Sequence, residues 1–518
     1  MLACARSAAL IGIDAYLVSV EADLSNGLPG FATVGLPQGA VREGRERVHA
    51  AIVNAGFEAP LKRITVNLAP ADIKKDGSGF DLPIAIAILA ASGQVPGADL
   101  DSTMLVGELG LDGDLRPVRG ALCLALAARE AGFASLLLPR ENADEAAMVE
   151  GLSVVGARTL GAVVRHLSGE ETLEQIRGDP AAMLRNRPSY GVDFADVRGQ
   201  PMARRAMEVA AAGGHNILLI GPPGAGKTML ARRLPGILPE LSLDEALETT
   251  RIHSVAGLLP PAGALVTARP FRAPHHTVSD AGLIGGGSTP RPGEVSLAHG
   301  GVLFLDELPE FRRHVLEVLR QPLEDATVTL SRAAMSLTFP ARFMLVAAMN
   351  PCPCGYAGDQ SRSCRCDTFQ LQRYLSRVSG PLLDRIDIQL RVPSAPPAQL
   401  LATEGEEPSA AIRQRVAEAR QRQRERFANL AGVHCNAQMG TREVRRFCGL
   451  GSDGEALIRS ALARLNLSAR AYSRILKVAR TIADLAGTVE LATADLAEAI
   501  QYRTLDRPEV PGQAVAPG

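Results

Sequence analysis

The sequence predicts an α/β fold class in three blocks: a mixed α/β block, a parallel-sheet α/β core and a helical C-terminal block. Three observations predict it. Residues 5–168 alternate strand-like runs ("ITVNLAP", "MLVGELG", "SLLLPR") with helix-like ones ("VREGRERVHAAIVNAG", "GALCLALAAREAG"). Residues 195–395 carry short apolar runs that break into glycines, carboxylates or an amide ("NILLIGPPGAGKT", "GVLFLDE", "FMLVAAMN"), the pattern of buried parallel strands. From Ala410 to Arg503 only helical periodicity is left.

A length of 518 residues suits roughly three domains. The boundaries read as 1–170, a polar linker at 171–194 with Pro180 and Pro188, a core at 195–395, helices at 396–505 and a tail at 506–518. The net charge of −1 gives no global attraction to a polyanion, so any contact with nucleic acid must be local. "IAIAILAA" and "ALCLALAA" fall short of membrane-spanning length and read as buried core. The N-terminal apolar stretch is interrupted by Asp14 and offers no clean cleavage site. Eight cysteines in a long chain without an export signal argue for reduced thiols, so the chain reads as cytoplasmic with no membrane partner.

Gly221, Pro222, Pro223, Gly224, Ala225, Gly226, Lys227 and Thr228 fit G-x-x-x-x-G-K-[ST] between a strand and a helix. The glycines let backbone N–H groups close around phosphates, Lys227 reaches the β/γ-phosphates and the Thr228 hydroxyl ligates Mg²⁺. Some eighty residues on, a second buried strand ends in Asp306, suited to hold Mg²⁺, and Glu307, suited to polarise the attacking water. A third strand ends in Asn350, whose amide can orient that water; by itself it is also an ordinary turn residue before Pro351. The implied cofactors are ATP and Mg²⁺.

Together these elements resemble the AAA+ ATPases. The resemblance makes Asn350 the sensor 1 residue and places Gly199 and Gln200 of "VRGQ" at the adenine pocket. It makes Arg385 of "SGPLLDRIDI" an arginine finger acting in a neighbouring subunit, and Arg470 of "LNLSARAYSRIL" the sensor 2 residue of a helical lid. A homo-oligomeric ring, a hexamer, is implied. Read without it, both arginines are surface ion-pair partners.

After Glu307 the spacing of Phe311, Val315, Val318 and Leu319 predicts a helix that starts near Pro309 and is ended by Pro322. "TVTL" and "MSLTF" alternate around "SRAA" and predict a β-hairpin with Arg332 near its tip. A long insert, "ALVTARPFRAPHHTVSDAGLIGGGSTPRPGEVSLAHGG", separates the two nucleotide motifs. Both features resemble insertions in the clade of magnesium chelatase and the MCM helicases, where they face the ring's pore. That makes Arg332 a DNA contact, and His275 and His276 pore-loop residues rather than metal ligands.

"RPFRAPHHTVSDAGLIGGG", "HGGVLFLDELPEF", "NPCPCG" and "RAYSRILKVARTIADL" identify the chain, from Ala5 to Arg503, as similar to the magnesium-chelatase-like ComM (YifB) family. The resemblance implies an ATP-dependent DNA translocase or helicase that promotes branch migration on single-stranded or branched DNA during natural transformation. A chelatase-type remodeller of a protein partner would share the same ATPase core.

"KKDGSGFDLPIAIAILAASG" and "LRPVRGALCLALAAREAG" resemble the Lon-protease-type (S5-type) α+β fold. Gly79 stands where the nucleophile aligns, with Ser78 one place off, and Ala121 stands where the lysine base belongs, so an ATP-dependent protease is disfavoured. Lys62, Arg63, Lys74 and Lys75 form either a phosphate-binding patch or a solvated face. Cys352, Cys354, Cys364 and Cys366 read C-x-C…C-x-C: either four thiolates holding Zn²⁺ or four reduced thiols in a loop, since the usual knuckle is C-x-x-C. "RQRVAEARQRQRERF" reads as a solvated lid face before it reads as a DNA contact.

Overall fold

Small apolar residues at alternate positions let the N-terminus fold as a long hairpin. Leu2–Ile11 pairs antiparallel with Asp14–Ser25, from Leu2 opposite Asp23 to Ile11 opposite Asp14. The structure is a computed structural model. It describes residues 1–503 except 76, 97–99, 186–189, 261–263, 288–289, 333–334, 360–361, 395–405, 431 and 466–467, with backbone alone at Arg332 and Met335. The tail at 506–518 and most of the stretch after Pro393 lie outside the described residues.

The hairpin centres an eight-stranded mixed sheet in the order Gln175–Ile176, Ser153–Ala157, Ser135–Pro139, Thr103–Leu105, Leu2–Ile11, Asp14–Ser25, Arg63–Ala69, Gly30–Val34. "DLPIAIAILAA" forms the helix Asp81–Ala91, with all but Ala90 buried, against the two long strands. The segment read as a linker is partly folded: Gln175–Ile176 extends this sheet, and Pro180–Arg185 is a helix.

The core sheet has five parallel strands in the order Phe271–Arg272, Val302–Leu305, Met344–Met349, Ile217–Ile220, Ile388–Arg391. The three inner strands are wholly buried, as their unbroken apolar runs require. Their C-terminal ends deliver Gly221, Asp306 and Asn350 to one edge of the sheet, where open α/β sheets bind ligands. The single helix expected between Pro309 and Pro322 is three short pieces: Leu308–Glu310, Arg313–Glu317 and Arg320–Asp325. Pro322 does not end a helix; it lies in the first turn of the last piece, where a missing N–H costs nothing. The hairpin forms as Thr327–Arg332 against Met335–Pro340, with Arg332 opposite Met335.

The first block is joined to the core. Ile13, in the turn of the N-terminal hairpin, is buried with Ile252, Leu297, Leu337 and Phe339, so it packs with the second arm of the other hairpin. Arg251 donates to the Ile13 carbonyl and to Asp14 Oδ1, at 3.1 and 2.5 Å. Half-buried Glu145 accepts from the Leu122 N–H at 2.7 Å and from the Ser254 hydroxyl.

The arginine-rich helix Ser409–Phe427 is not a solvated face. Arg415 pairs with Glu208 and Glu407, Arg420 donates to the Ala211 carbonyl, and Arg422 and Arg426 bind Asp484. Its cations tie the helical block to the core. At the same junction, buried His215 bridges Asp387 Oδ2 (3.2 Å) and the Thr481 hydroxyl (2.8 Å), and Arg474 closes on Asp387. Among the described residues no helix is long and apolar enough to cross a membrane.

Burial alone would push Asp387 up, but the Arg474 guanidinium and the His215 ring hold its carboxyl well below the usual carboxylate range. A depressed folded pKa stabilises the fold fully above the unfolded value of about 3.9, and that stability is lost as pH falls through it. Asp387→Asn leaves Arg474 without its buried partner. It should cost about 3–5 kcal/mol and remove part of the acid sensitivity below about pH 4. Urea unfolding of the helical block at pH 7 and pH 3.5 checks both outcomes.

Candidate nucleotide and substrate site

Ile217–Ile220 runs into a turn that only glycine can make. A Cβ on Gly221 would meet the Val392 carbonyl oxygen at 2.1 Å, and Gly224 and Gly226 sit at φ +79° and +86°. The turn aims the N-terminus of the helix Lys227–Ile237 into a cleft of about 420 Å³. The cleft is lined by Pro223 to Met229, Asp306, Glu307, Met349 and Asn350, from three strand ends. Lys227 Nζ donates to the Gly221 and Pro222 carbonyls (2.7 and 2.9 Å) and to Asn350 Oδ1 (3.2 Å). Burial lowers its pKa, and Asp306 and Glu307 act in the opposite direction. The Thr228 hydroxyl donates to Asp306 Oδ2 at 2.7 Å, so two oxygen donors of the kind Mg²⁺ takes stand side by side.

Glu307 adopts φ +53°, uncommon for a residue with a side chain, and its N–H donates to Asp306 Oδ1 at 2.9 Å. The bend separates the two carboxylates: Asp306 faces Thr228, while Glu307 is 59% exposed at the cleft mouth. His276 Nδ1 lies 3.4 Å from Glu307 Oε2, and its ring meets Phe311 edge-on. His276 is therefore next to a carboxylate that no local spacing in the sequence would reveal. Among the described residues the one clustered metal-ligand set is cysteine, so the histidines stand apart from it.

The other predicted residues lie outside this cleft. The Gln200 amide donates to the Pro393 carbonyl at 2.7 Å, and Gly199 is a left-handed turn at φ +65°. Arg385 is almost wholly buried. It pairs with Glu324 and donates to the Pro381 carbonyl at 2.6 Å, in the wall of a second cleft shared with Glu317, Arg320 and Thr329. Its partners are groups of its own chain. Arg470 is 67% exposed and 3.8 Å from Asp384. Arg332 ends its strand, and its side chain lies outside the described residues.

In the first block, Ser78 donates to Glu108, and Ala121 begins the helix Ala121–Glu130. Lys75 is fully buried and donates to the Pro70 carbonyl, which removes it from the surface patch expected with Lys62, Arg63 and Lys74. The four cysteines converge: their Sγ atoms all lie within 4.8 Å of one another, with Cys352 Sγ 3.3 Å from Cys354 and 3.7 Å from Cys364. Four mutually adjacent sulfurs are the donor set of a structural zinc site.

A P-loop, a strand ending in Asp-Glu and a strand ending in a polar amide, ordered on one parallel sheet with a helical block beyond, define an AAA+-type nucleotide-binding protein. Models of magnesium chelatase subunit ChlI match residues 20–142 and 193–400, and the model of that subunit's C-terminal region matches 406–503. The chain is 47% identical over 515 residues to competence protein ComM of Haemophilus influenzae and 46% identical over 509 residues to YifB of Salmonella typhimurium. Both alignments cover 98% of each chain. Over 178 residues it is 30% identical to a probable DNA helicase, MCM9, of Arabidopsis thaliana, covering 34% of this chain and 22% of that one. The chain belongs to the magnesium-chelatase-like ComM/YifB family.

The separation of the two carboxylates makes a prediction. Glu307→Gln should keep Thr228 and Asp306 in place and so bind Mg-ATP with affinity near wild type. Its turnover should fall on the order of 10²-fold or more. A steady-state ATPase assay beside nucleotide-binding titration checks the split.

Proposed function

We propose that the protein is an ATP-driven, ring-forming DNA translocase that promotes branch migration during recombination of incoming DNA in the cytoplasm. One observation carries the reading. The chain runs from Glu307 through three short helical pieces into the hairpin Thr327–Pro340, and returns directly to the strand that ends in Asn350. The hairpin is thus spliced between the proposed catalytic carboxylate and the proposed sensor. A change at the γ-phosphate can reach it through the strand Met344–Met349, which runs from the hairpin to Asn350. The competence role of the Haemophilus relative and the helicase stretch in MCM9 support DNA as what it moves.

In this reading Lys227 holds the β/γ-phosphates, Thr228 and Asp306 hold Mg²⁺, Glu307 polarises water and Asn350 orients it. Bound Mg²⁺ supplies charge neutralisation at the phosphates. Arg385 serves the neighbouring subunit of a hexamer, which requires its pair with Glu324 to open, and Arg470 reports from the helical block. Gly199 and Gln200 border the adenine. The first block, Lon-like but with Ala121 in place of a base, is a binding and assembly domain. The four cysteines hold one Zn²⁺ per chain.

DNA-stimulated ATPase activity tests the whole. Stimulation by single-stranded or four-way-junction DNA is expected; its absence would favour a remodeller of a protein partner. Each phosphate neutralised adds roughly 0.9 to the log–log salt slope on duplex and about 0.7 on single strands. Arg332→Ala should flatten that slope and abolish junction movement while basal ATPase survives. Doping wild-type rings with Arg385→Ala subunits should depress turnover although the variant still binds nucleotide.

A further inference from the structure

We infer that the metal of the four-cysteine knuckle sets the position of Asn350 and of the P-loop turn, so that its occupancy governs ATP turnover although the ion lies apart from the nucleotide. The inference rests on the proposed role of Asn350 in hydrolysis. It starts from a loop that cannot hold itself together. "CPCGYAGDQSRSCRC", residues 352–366, contains only Pro353, Tyr356 and Ala357 as apolar residues beyond its cysteines. Cys352 is buried, Cys354 and Cys366 are partly exposed, and Cys364 is exposed. A segment with so little apolar surface gains its order from a cross-link. Arg362 donates to the Tyr356 hydroxyl at 2.9 Å, and the stronger cross-link available is the cluster of sulfurs within 4.8 Å of one another. Backbone N–H groups already point at them: Ala357 N–H at Cys352 Sγ (3.3 Å) and Cys366 N–H at Cys364 Sγ (3.4 Å). Such bonds orient ligands in metal sites. Soft thiolates in a tetrahedral set select zinc over hard cations.

The knuckle is wired to the nucleotide cleft in three places. Cys352 follows Asn350 by two residues, so its position fixes where the strand Met344–Met349 releases the Asn350 side chain. At the far side the loop returns at Asp367, which caps the helix Thr368–Leu375. Tyr374 on that helix is buried in the same apolar cluster as Met349, the residue before Asn350, which closes the loop at its base. Between the cysteine pairs, Gly355 sits at φ +89°, and a Cβ there would meet Pro223 Cδ and Cγ at 2.7 and 2.9 Å. The turn of the knuckle therefore presses directly on the P-loop. Asn350 Oδ1 in turn accepts from Lys227 at 3.2 Å. Loosening the knuckle frees the amide, its lysine partner and the wall of the phosphate turn together.

Zinc removal and restoration test this on the full chain. Freshly purified, chelator-free protein should hold about one zinc per chain by elemental analysis. Cobalt put in its place should show the visible absorption of a tetrahedral thiolate site. Stripping zinc with a chelator, or Cys352→Ser with Cys364→Ser, should lower kcat about tenfold or more. The KM for ATP should change less than threefold. Amide exchange at 221–228 and 344–350 should rise. Returned zinc should restore stripped wild type, and Cys364→His, which keeps a zinc donor, should retain metal and turnover. Protein that neither carries nor takes up metal would overturn the site. Metal removal that leaves kcat and exchange unchanged would overturn the coupling, as would exchange rising throughout the chain without recovery on adding zinc. A holoprotein that shows the exchange response but hydrolyses no ATP would sink the ATPase reading and leave the coupling standing.

Discussion

A buried ammonium organises the core. Lys227 is mostly withdrawn from water, and an unpaired charge there would cost several kcal/mol. It is satisfied by carbonyls of the glycine-rich turn and by the Asn350 amide, that is, by the ends of two adjacent strands. The third strand contributes Asp306, tied to the residue after Lys227 through the Thr228 hydroxyl. The glycine-rich turn, the Asp306 carboxylate and the Asn350 amide are therefore one hydrogen-bonded unit. Its geometry is imposed by the register of the parallel strands: Ile220 beside Met349, and Leu305 beside Ala347. Phosphate oxygens are better partners for that ammonium than carbonyls are, so nucleotide can draw Lys227 off its own loop without breaking the sheet beneath it.

The rest of the chain is fastened to this unit by a few dense contacts. Ile13 plugs the first block against Leu337 and Phe339, on the second arm of the hairpin that follows Glu307. The same turn is held from the core by Arg251. On the other side, His215 and Arg474 join the strand-end residue Asp387 to the helical block. A shift at the proposed phosphate site would thus have two short mechanical routes outward. One goes by the hairpin to the first block and one by Asp387 to the helical block. Packed interiors transmit such shifts because they cannot absorb them.

The nucleotide motifs were legible because each is a local string with a backbone requirement: glycines where φ must be positive, apolar runs where a strand is buried on both faces. The hairpin was legible from alternation alone. What local reading missed depends on residues far apart in sequence. His276 meets Glu307 only because the insert folds over the Asp-Glu strand. Lys75 looks like a surface cation in "IKKDG" but is drawn inside by the Pro70 carbonyl. Pro322 looks like a helix terminator, yet a short helix accepts it in its first turn. The Ser409–Phe427 helix has an arginine excess that reads as solvent-facing because its partners, Glu208 and Asp484, lie more than fifty residues away on either side.

That last difference bears on how a near-neutral chain can grip a polyanion. Of the arginines that crowd the helical block, Arg415, Arg420, Arg422, Arg426, Arg474 and Arg480 are committed to carboxylates or carbonyls of the same chain. Arg385 is bound to Glu324, and Arg269 and Arg272 of the insert are bound to Glu245 and Glu294. Cations held this way are already neutralised and release few counterions when DNA approaches. Charge count therefore overstates the surface available to nucleic acid. A grip has to come from a few projecting residues, repeated by symmetry. The proposed ring would supply that repetition, since each subunit would add the same hairpin to one axis. The electrostatic economy of the single chain thus accords with the proposed ring, in which several copies of one hairpin would share the grip on DNA.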